Sequence, residues 1–488
     1  MSDLGPPPTE LPRGTVEQQY KPDVPNFMRL GSVPVNYLQQ VETDLLEPVV
    51  FQDGNGSSVD GFVRFQVQPK GFLHSHSKIF MSLVPPAAAT RVIYPPNVGV
   101  GSVVKKAVLK IGNKVLNEIS DWDHLHAFHS TKISNENNVE RELYTTGRYM
   151  NQKYNFDNGA GSKIVAAGVS LQTSRDPVTD YDESVQCNLE PVAVMEGANP
   201  AESPSYAIDL SDLFPFLKVH QLPLYMIQEP VTIELTLRPP VAHRVVRVDP
   251  AAAGSSQNLS YAIDQTELKM CADYVFYGAT DEMERYAEAN KVLTFPFVDY
   301  RATSTSTTSA ALQSDTVRNL GMASRLVSKV ITMFNADRKG EDDLFLQLAS
   351  LSTATSASKG VEPIRFNVRY NDKFEFSSNI TNTARLFSLL QQAEGMAFVS
   401  RDQYSSQGGG YEAGDGGTHT FEGINQTSIA GKFFYTSVKL TGGRVGSRGI
   451  ELHIQSDGWR SGLTTMRSFC EYMRSASLEG GRVAVFNL

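Results

Sequence analysis

The amino-acid sequence predicts an all-β protein of two tandem eight-stranded jelly rolls, a double jelly roll with a few short connecting helices. Three observations lead there. Short runs alternate apolar and polar residues with a period of two, the mark of strands buried on one face. Clusters of Gly, Pro, Ser and Asn separate these runs at close intervals. Motifs of the first half recur in the same order in the second.

The alternation is clear in several places. "FVRFQVQP" sets Val63, Phe65 and Val67 on one face. "PIRFNVRY" sets Ile364, Phe366, Val368 and Tyr370 against Arg365, Asn367 and Arg369. "GIELHIQ" opposes Ile450, Leu452 and Ile454 to Glu451, His453 and Gln455. Residues 214–237, "FPFLKVHQLPLYMIQEPVTIELTL", form the most apolar run of that length. Pro215, Pro223 and Pro230 interrupt it, so it is neither a membrane span nor one long helix. Its last part alternates as a strand, with Val231, Ile233, Leu235 and Leu237 on the buried side.

Helices are few: 121–129, 280–290 with Thr280 as N-cap and acidic residues in its first turn, and 384–393. Segments 241–260, 301–316, 350–360 and the Gly-rich 402–420 read as long loops. Residues 1–35 are Pro-rich and polar, an extended arm without a core of its own. The expected organisation is therefore an arm at 1–35, a first jelly roll at 36–278, a linker helix at 279–290 and a second jelly roll at 291–488.

Three echoes support duplication. "VKKAVLKI" at 104–111 resembles "VSKVITMF" at 327–334, "IELTL" at 233–237 resembles "IELHI" at 450–454, and "CADY" at 271–274 resembles "CEY" at 470–472. On this alignment Ile233 and Ile450 occupy equivalent core positions. Two similar sandwiches also suit a chain of 488 residues, since single cores stop growing near roughly 250–300 residues.

Composition excludes several classes. A hydrophobic share of 41% rules out global disorder. A net charge of −9 argues against nucleic-acid binding by the chain as a whole. The three cysteines, Cys187, Cys271 and Cys470, make no even framework and no CxxC, which predicts a reducing compartment. The N-terminal stretch has neither a basic region nor an apolar core, so no signal peptide is expected and the sequons at Asn55, Asn258, Asn379 and Asn425 would go unused.

Candidate chemistry centres on histidines. His74 and His76 in "HSH" would share one strand face, and His124, His126 and His129 in "HLHAFH" are dense enough to consider zinc. A metal-dependent bicupin would place a Glu shortly after each HxH. Here Ser77, Lys78, Ile79 and Phe80 follow His76, and Ala127, Phe128, His129 and Ser130 follow His126, while His419 and His453 stand alone. Solvated or packed imidazoles are the expectation. Asp121 and Asp123 flank Trp122 and read as residues that start and solvate a helix. Trp122 and Trp459 read as core or interface residues. GxSxG and Gly-rich loops ending in Lys-Ser/Thr are missing from the sequence. No catalytic, metal or cofactor-binding residue is expected, and no enzyme activity.

"DLFPFLKVHQLPLYMIQEPVTIELTL", "ELKMCADYVFYGATDEMERYA" and "LTTMRSFCEYMRSASLEGGRVAVFNL" resemble segments of double-jelly-roll major capsid proteins of eukaryotic DNA viruses, closest to the polinton-like virus and virophage branch. The resemblance implies a structural protein of the virion, made inside the host cell. It implies homotrimers that form pseudo-hexameric capsomers and tile an icosahedral shell around a double-stranded DNA genome. Neighbouring capsomers and penton and other minor capsid proteins are the implied partners; the resemblance leaves an internal membrane open. The alternatives are a carbohydrate-binding adhesin or fibre head, disfavoured by the lack of clustered aromatic platforms, and the bicupin metalloenzyme.

Overall fold

The computed structural model describes residues 39–55, 59–84, 89–93, 99–130, 145–146, 164–166, 169–171, 206–240, 247–250, 261–277, 292–308, 316–336, 364–380, 383–394, 435–441, 443–456 and 463–488. The arm at 1–35, the linker helix at 279–290, the loops 350–360 and 402–420, Trp459 and His419 lie outside the described residues.

Sixteen strands carry the fold. The first eight are β1 (Gln39–Leu46), β2 (Gly61–Val67), β3 (Lys78–Met81), β4 (Val104–Ile111), β5 (Lys114–Ser120), β6 (Tyr206–Asp209), β7 (Val231–Leu237) and β8 (Lys269–Tyr277). They make two antiparallel sheets, β1-β8-β3-β6 and β2-β7-β4-β5. The second eight are β9 (Val292–Thr308), β10 (Thr316–Gly321), β11 (Val327–Ala336), β12 (Ile364–Tyr370), β13 (Lys373–Phe374), β14 (Tyr435–Lys439), β15 (Ile450–Ser456) and β16 (Leu463–Glu479). Their sheets run β9-β16-β11-β14 and β10-β15-β12-β13. Adding eight to every strand number of the first pair of sheets yields the second pair. The fold is two tandem jelly rolls, each an eight-stranded antiparallel double sheet.

Register shows which sequence echoes are structural. β7 and β15 hold the same place, as do β8 and β16, so "IELTL"/"IELHI" and "CADY"/"CEY" are true counterparts. The first echo is not. β4 lies beside β7, whereas β11 lies in the other sheet beside β16; the counterpart of β4 is β12. β-branched runs look alike whichever sheet they join, and only pairing separates them. The match between β7 and β15 also moves by two residues. Ile111 ends β4 opposite Val231, and Tyr370 ends β12 opposite Ile450, so Ile450 matches Val231 and Leu452 matches Ile233. A shift of two keeps every side chain on its face.

Two expected loops contain strand. β9 stays paired to β16 through Thr308, so 301–308 is sheet although its Ser/Thr run reads as loop. Within 241–260, Arg247–Pro250 pairs with Ala89–Ile93.

The proline-broken run 214–237 folds as short pieces that lead into β7, with Phe216 packed against Phe295 and Phe297 of the second sandwich. α2 (Leu210–Leu213) and α3 (Pro215–Val219) follow β6, with Pro215 in the first turn of α3, where its missing N–H is not needed. Leu222–Pro223 then pairs with Phe72–Leu73 before β7 begins. Leu213, Phe214, Phe216 and Leu217 are all buried. The expected helices at 121–129 and 384–393 are α1 (Trp122–Ser130) and α4 (Thr383–Glu394). Among the described residues, no helix is long and apolar enough to cross a membrane.

The sandwiches share a core. One cluster of buried apolar residues includes Phe65, Leu109, Ile233 and Phe216 from the first and Phe295, Phe297, Phe469 and Leu478 from the second. A smaller cluster, with Phe366, Val368, Ile450 and Leu452, fills the far part of the second sandwich.

Ile233→Asp and Ile450→Asp each place an unpaired carboxylate at a fully buried position, at a cost on the order of 4 kcal/mol or more. Both should abolish soluble folded protein in expression and circular dichroism tests. A short epitope inserted after Thr303 should do the same by interrupting β9, while the same insertion within 402–420 should leave thermal unfolding unchanged. A normally folded Thr303 insertion would contradict the pairing through Thr308.

Candidate functional site: the ionic seam between the sandwiches

The residues singled out in the sequence lead to the junction of the two halves. Asp121 sits between β5 and α1 at φ 49°, a left-handed conformation that Asp tolerates better than most side chains. This turn drives the start of α1 into the protein. Its carbonyl accepts from the His124 and Leu125 N–H groups. Trp122 is buried, donates from its indole N–H to the Asp212 carbonyl (3.2 Å) and stacks on His126 with ring centroids 4.5 Å apart. The expectation of a core or interface tryptophan holds there.

Asp121 and Asp123 do not solvate the helix. Asp123 is wholly buried and Asp121 largely so, because Arg238, at the end of β7, reaches both. Arg238 Nε donates to Asp123 Oδ2 (2.8 Å), and its Nη2 donates to Asp123 Oδ1 (2.9 Å) and Asp121 Oδ1 (3.1 Å). His124 Nδ1 lies 2.9 Å from Asp123 Oδ1. From the second sandwich, Arg467 on β16 approaches Asp121 at 3.8 Å.

Electrostatics follow from this crowding. Burial alone would raise the Asp123 carboxyl, but Arg238 and His124 hold it well below the usual carboxylate range. Burial pushes His124 down to about 4; Asp123 opposes the shift and the Arg467 charge adds to it. His124 is thus neutral near pH 7, and its Nδ1–H donates to Asp123. Arg238 is raised, since the two aspartates outweigh the cost of its burial.

Asp121, Asp123 and His124 bring potential ligand atoms within 4.8 Å of one another, which invites a metal reading. The donor set does not fit one. The Arg238 fork takes both carboxylates, and Arg467 adds a second fixed cation, so a divalent ion would meet two guanidinium charges. The histidine cluster does not converge either: His124 turns to Asp123, His126 to Trp122, and His129 to the edges of Phe128 and Tyr300. "HSH" lies in a turn and not on a strand, because Ser77 Oγ donates to the His74 carbonyl and the His76 N–H donates to His74 Nδ1. His453 stands on β15 with its ring against Phe374, 5.0 Å away.

A second knot spans the junction. Asp299 on β9 accepts from Arg474 Nη1 (2.7 Å), Asn117 Nδ2 (3.1 Å), the Tyr300 N–H (3.0 Å) and the Tyr472 hydroxyl (3.3 Å). Burial raises its carboxyl and Arg474 opposes the rise. Arg474 also donates to the Leu116 and Val115 carbonyls on β5, an edge strand of the first sandwich. Asn117 Oδ1 accepts the Phe216 N–H, and His220 Nε2 lies 2.6 Å from the Pro296 carbonyl. Sequence reasoning missed Arg238, Arg467, Arg474, Asn117 and Asp299. Their one sequence signal is a charged or polar residue in or beside an otherwise buried strand, as in "TLRPP" and "FPFVDY".

Every charge at the seam is spent on another seam residue. The arrangement fastens one sandwich to the other, and among the described residues it presents no nucleophile beside a base. Fold and seam define a double-jelly-roll protein with a fused interior. No protein-family model matches the chain, and no curated protein does. Among solved structures, the chain is similar to the PBCV-1 VP54 structure fitted into a cryo-EM reconstruction of the virophage Sputnik. The TM-score is 0.51 at 11% identity, over 93% of this chain and 97% of the other. It is equally similar to the mavirus major capsid protein, with a TM-score of 0.50 at 10% identity over 100% and 97%. What is shared at that identity is the fold.

His124 yields a pH prediction. Its folded value of about 4 lies below the ordinary 6.5, so the unfolded chain takes up the proton first on acidification. Stability is complete above pH 6.5 and falls as pH drops toward 4, by about 3 kcal/mol at the limit. Urea midpoints at pH 7.5 and 4.5 should show this loss, and His124→Asn, which keeps a donor to Asp123, should reduce it. Equal pH dependence in the two proteins would remove His124 as its source.

Proposed function

We propose that the chain is a viral major capsid protein that forms homotrimers, each a pseudo-hexameric capsomer. The observation that carries this reading is the doubled strand order joined through one core and a buried ionic seam. Such a chain supplies two similar wedges in fixed relation, so three chains present six wedges around a three-fold axis. Heterologous contacts close that ring, because different faces of each subunit meet. The likeness to the mavirus major capsid protein supports the same reading.

On this proposal the capsomers tile an icosahedral shell around a double-stranded DNA genome, with penton and other minor capsid proteins as further partners. The chain is a structural component of the virion and not an enzyme. Its working units are the arm at 1–35, the jelly rolls at 36–278 and 291–488, and the linker at 279–290. On the same proposal the arm reaches neighbours or the interior. Neither alternative gains support: His74 and His76 lie together in a turn with no Glu shortly after them, His124 and His126 turn to different partners, and the Trp122 ring is buried instead of forming a sugar platform.

Solution mass and electron microscopy test the proposal. The expected species is three times 53.6 kDa, with interfaces on the order of 2,000 Å² or more, assembling into shells or sheets. Deleting residues 1–30 should leave the trimer and its unfolding midpoint intact but block assembly. A stable monomer that never assembles would overturn the capsid reading.

A further inference from the structure

One end of the second sandwich is a basic cap built from three interlocked turns. The first joins β10 to β11, with Gly321, Met322 and Ser324 all at positive φ. The second is the two-residue turn Asn371 and Asp372 between β12 and β13, also at positive φ as this hairpin type requires. The third, residues 443–449, leads into β15. Asn371 ties the second to the third: its Oδ1 accepts the Gly446 N–H (2.5 Å) and its Nδ2 donates to the Arg444 carbonyl (3.3 Å). The first joins the third where the Ser324 N–H donates to the Val445 carbonyl (2.9 Å) and the Val445 N–H to the Arg325 carbonyl (2.8 Å). Gly449, at φ 79°, packs so closely that a Cβ would lie 2.3 Å from the Gly321 carbonyl oxygen.

This framework holds cations together. Arg444 and Lys373 are exposed, and Arg448 is 69% exposed. The Arg301 guanidinium stands over Gly321 at about the 3.8 Å contact distance of an added Cβ. Arg325 lies over the Tyr472 ring with its Nη1 buried, so it adds positive charge to the cap without presenting that atom to a ligand. Against these five cations stand Asp372, which takes Arg448 at 2.9 Å, and Glu375, which accepts from Thr441. Arg369 and Glu451 form their own pair alongside. Exposed Phe374 lies beside the cap, with the Arg369 guanidinium 5.8 Å from its ring centre.

We propose that this cap binds the phosphate backbone of single-stranded nucleic acid, with Phe374 offering a stacking face to an unpaired base. The chain carries −9 overall, so a local excess of guanidinium groups on a hydrogen-bonded frame marks a surface built for a polyanion. Arginine forks suit phosphate, and turns already locked in place lose little entropy on binding. Basic side chains interleaved with an exposed aromatic favour single strands over a lipid surface. Nucleic-acid binding by the cap goes beyond the capsid reading and does not rest on it.

The test uses the full chain in its native assembly and a labelled DNA strand of roughly 20 nucleotides, followed by anisotropy across a salt series. The expected result is salt-dependent binding. Arg444→Gln with Arg448→Gln should weaken it at least ~10-fold and lower the salt slope by about 1.4, two phosphate contacts' worth. Phe374→Ala should weaken single-strand binding and leave duplex binding unchanged. Arg365→Gln with Arg385→Gln, the same charge change away from the cap, should stay within about twofold. Equal losses in both double variants, no binding at low salt, or capture by phosphatidylserine vesicles but not by DNA would each overturn the inference. Mass measured on the same sample separates the two readings. A trimer that ignores DNA refutes the cap alone, and a monomer that binds DNA refutes the capsid assignment alone.

Discussion

The architecture depends on buried charges whose partners lie in different sandwiches. Asp299 and Arg474 stand on adjacent strands of the second half, yet Asn117 and the Val115 and Leu116 carbonyls of the first complete their bonding. Asp121 accepts from Arg238 of its own half and faces Arg467 of the other. An unpaired buried charge costs several kcal/mol, so sliding one sandwich on the other would strand these groups. Apolar contact through Phe216, Phe295 and Phe297 supplies attraction. It tolerates small displacements that the ionic contacts do not.

The seam also explains why the second sandwich begins and ends with long strands. β9 and β16 pair along seventeen residues each, beyond the needs of one jelly roll. Their inner parts carry Leu293, Phe295, Phe297, Ala476 and Leu478 into the shared core. Their outer parts frame the second sandwich, where Met466 and Cys470 join its own cluster. One strand pair therefore serves both a sandwich core and the junction. The C-terminal segment Arg482–Asn487 extends the same sheet by pairing with β16.

Identical strand order in the two halves meets very different sequence, and the difference lies in the turns. The first half closes β4 to β5 at Gly112. The second closes β12 to β13 with Asn371 and Asp372, whose side chains then tie the neighbouring turns and Arg448 together. A hairpin that is only a connection in one half is a structural and electrostatic centre in the other.

The sequence by itself determined the fold class, because alternation forces half-buried strands and three prolines forbid a long helix at 214–237. It also determined which faces are apolar: Val63, Phe65, Ile233, Ile450 and Leu452 are buried as their periodicity requires. Counterpart strands of the two halves were legible only where a distinctive motif recurred, as for β7 and β15. β4 and β11 share a pattern and belong to different sheets, since pairing is a long-range choice that local composition does not encode. The Ser/Thr run of β9 reads as loop because its strand character comes from the β16 partner. The tertiary structure alone decided the fate of the charges. Asp121 and Asp123 look like solvated helix starters until Arg238, more than a hundred residues away in sequence, arrives to bury them. Electrostatic energy depends on distance in space, and that distance exists only once the chain has folded.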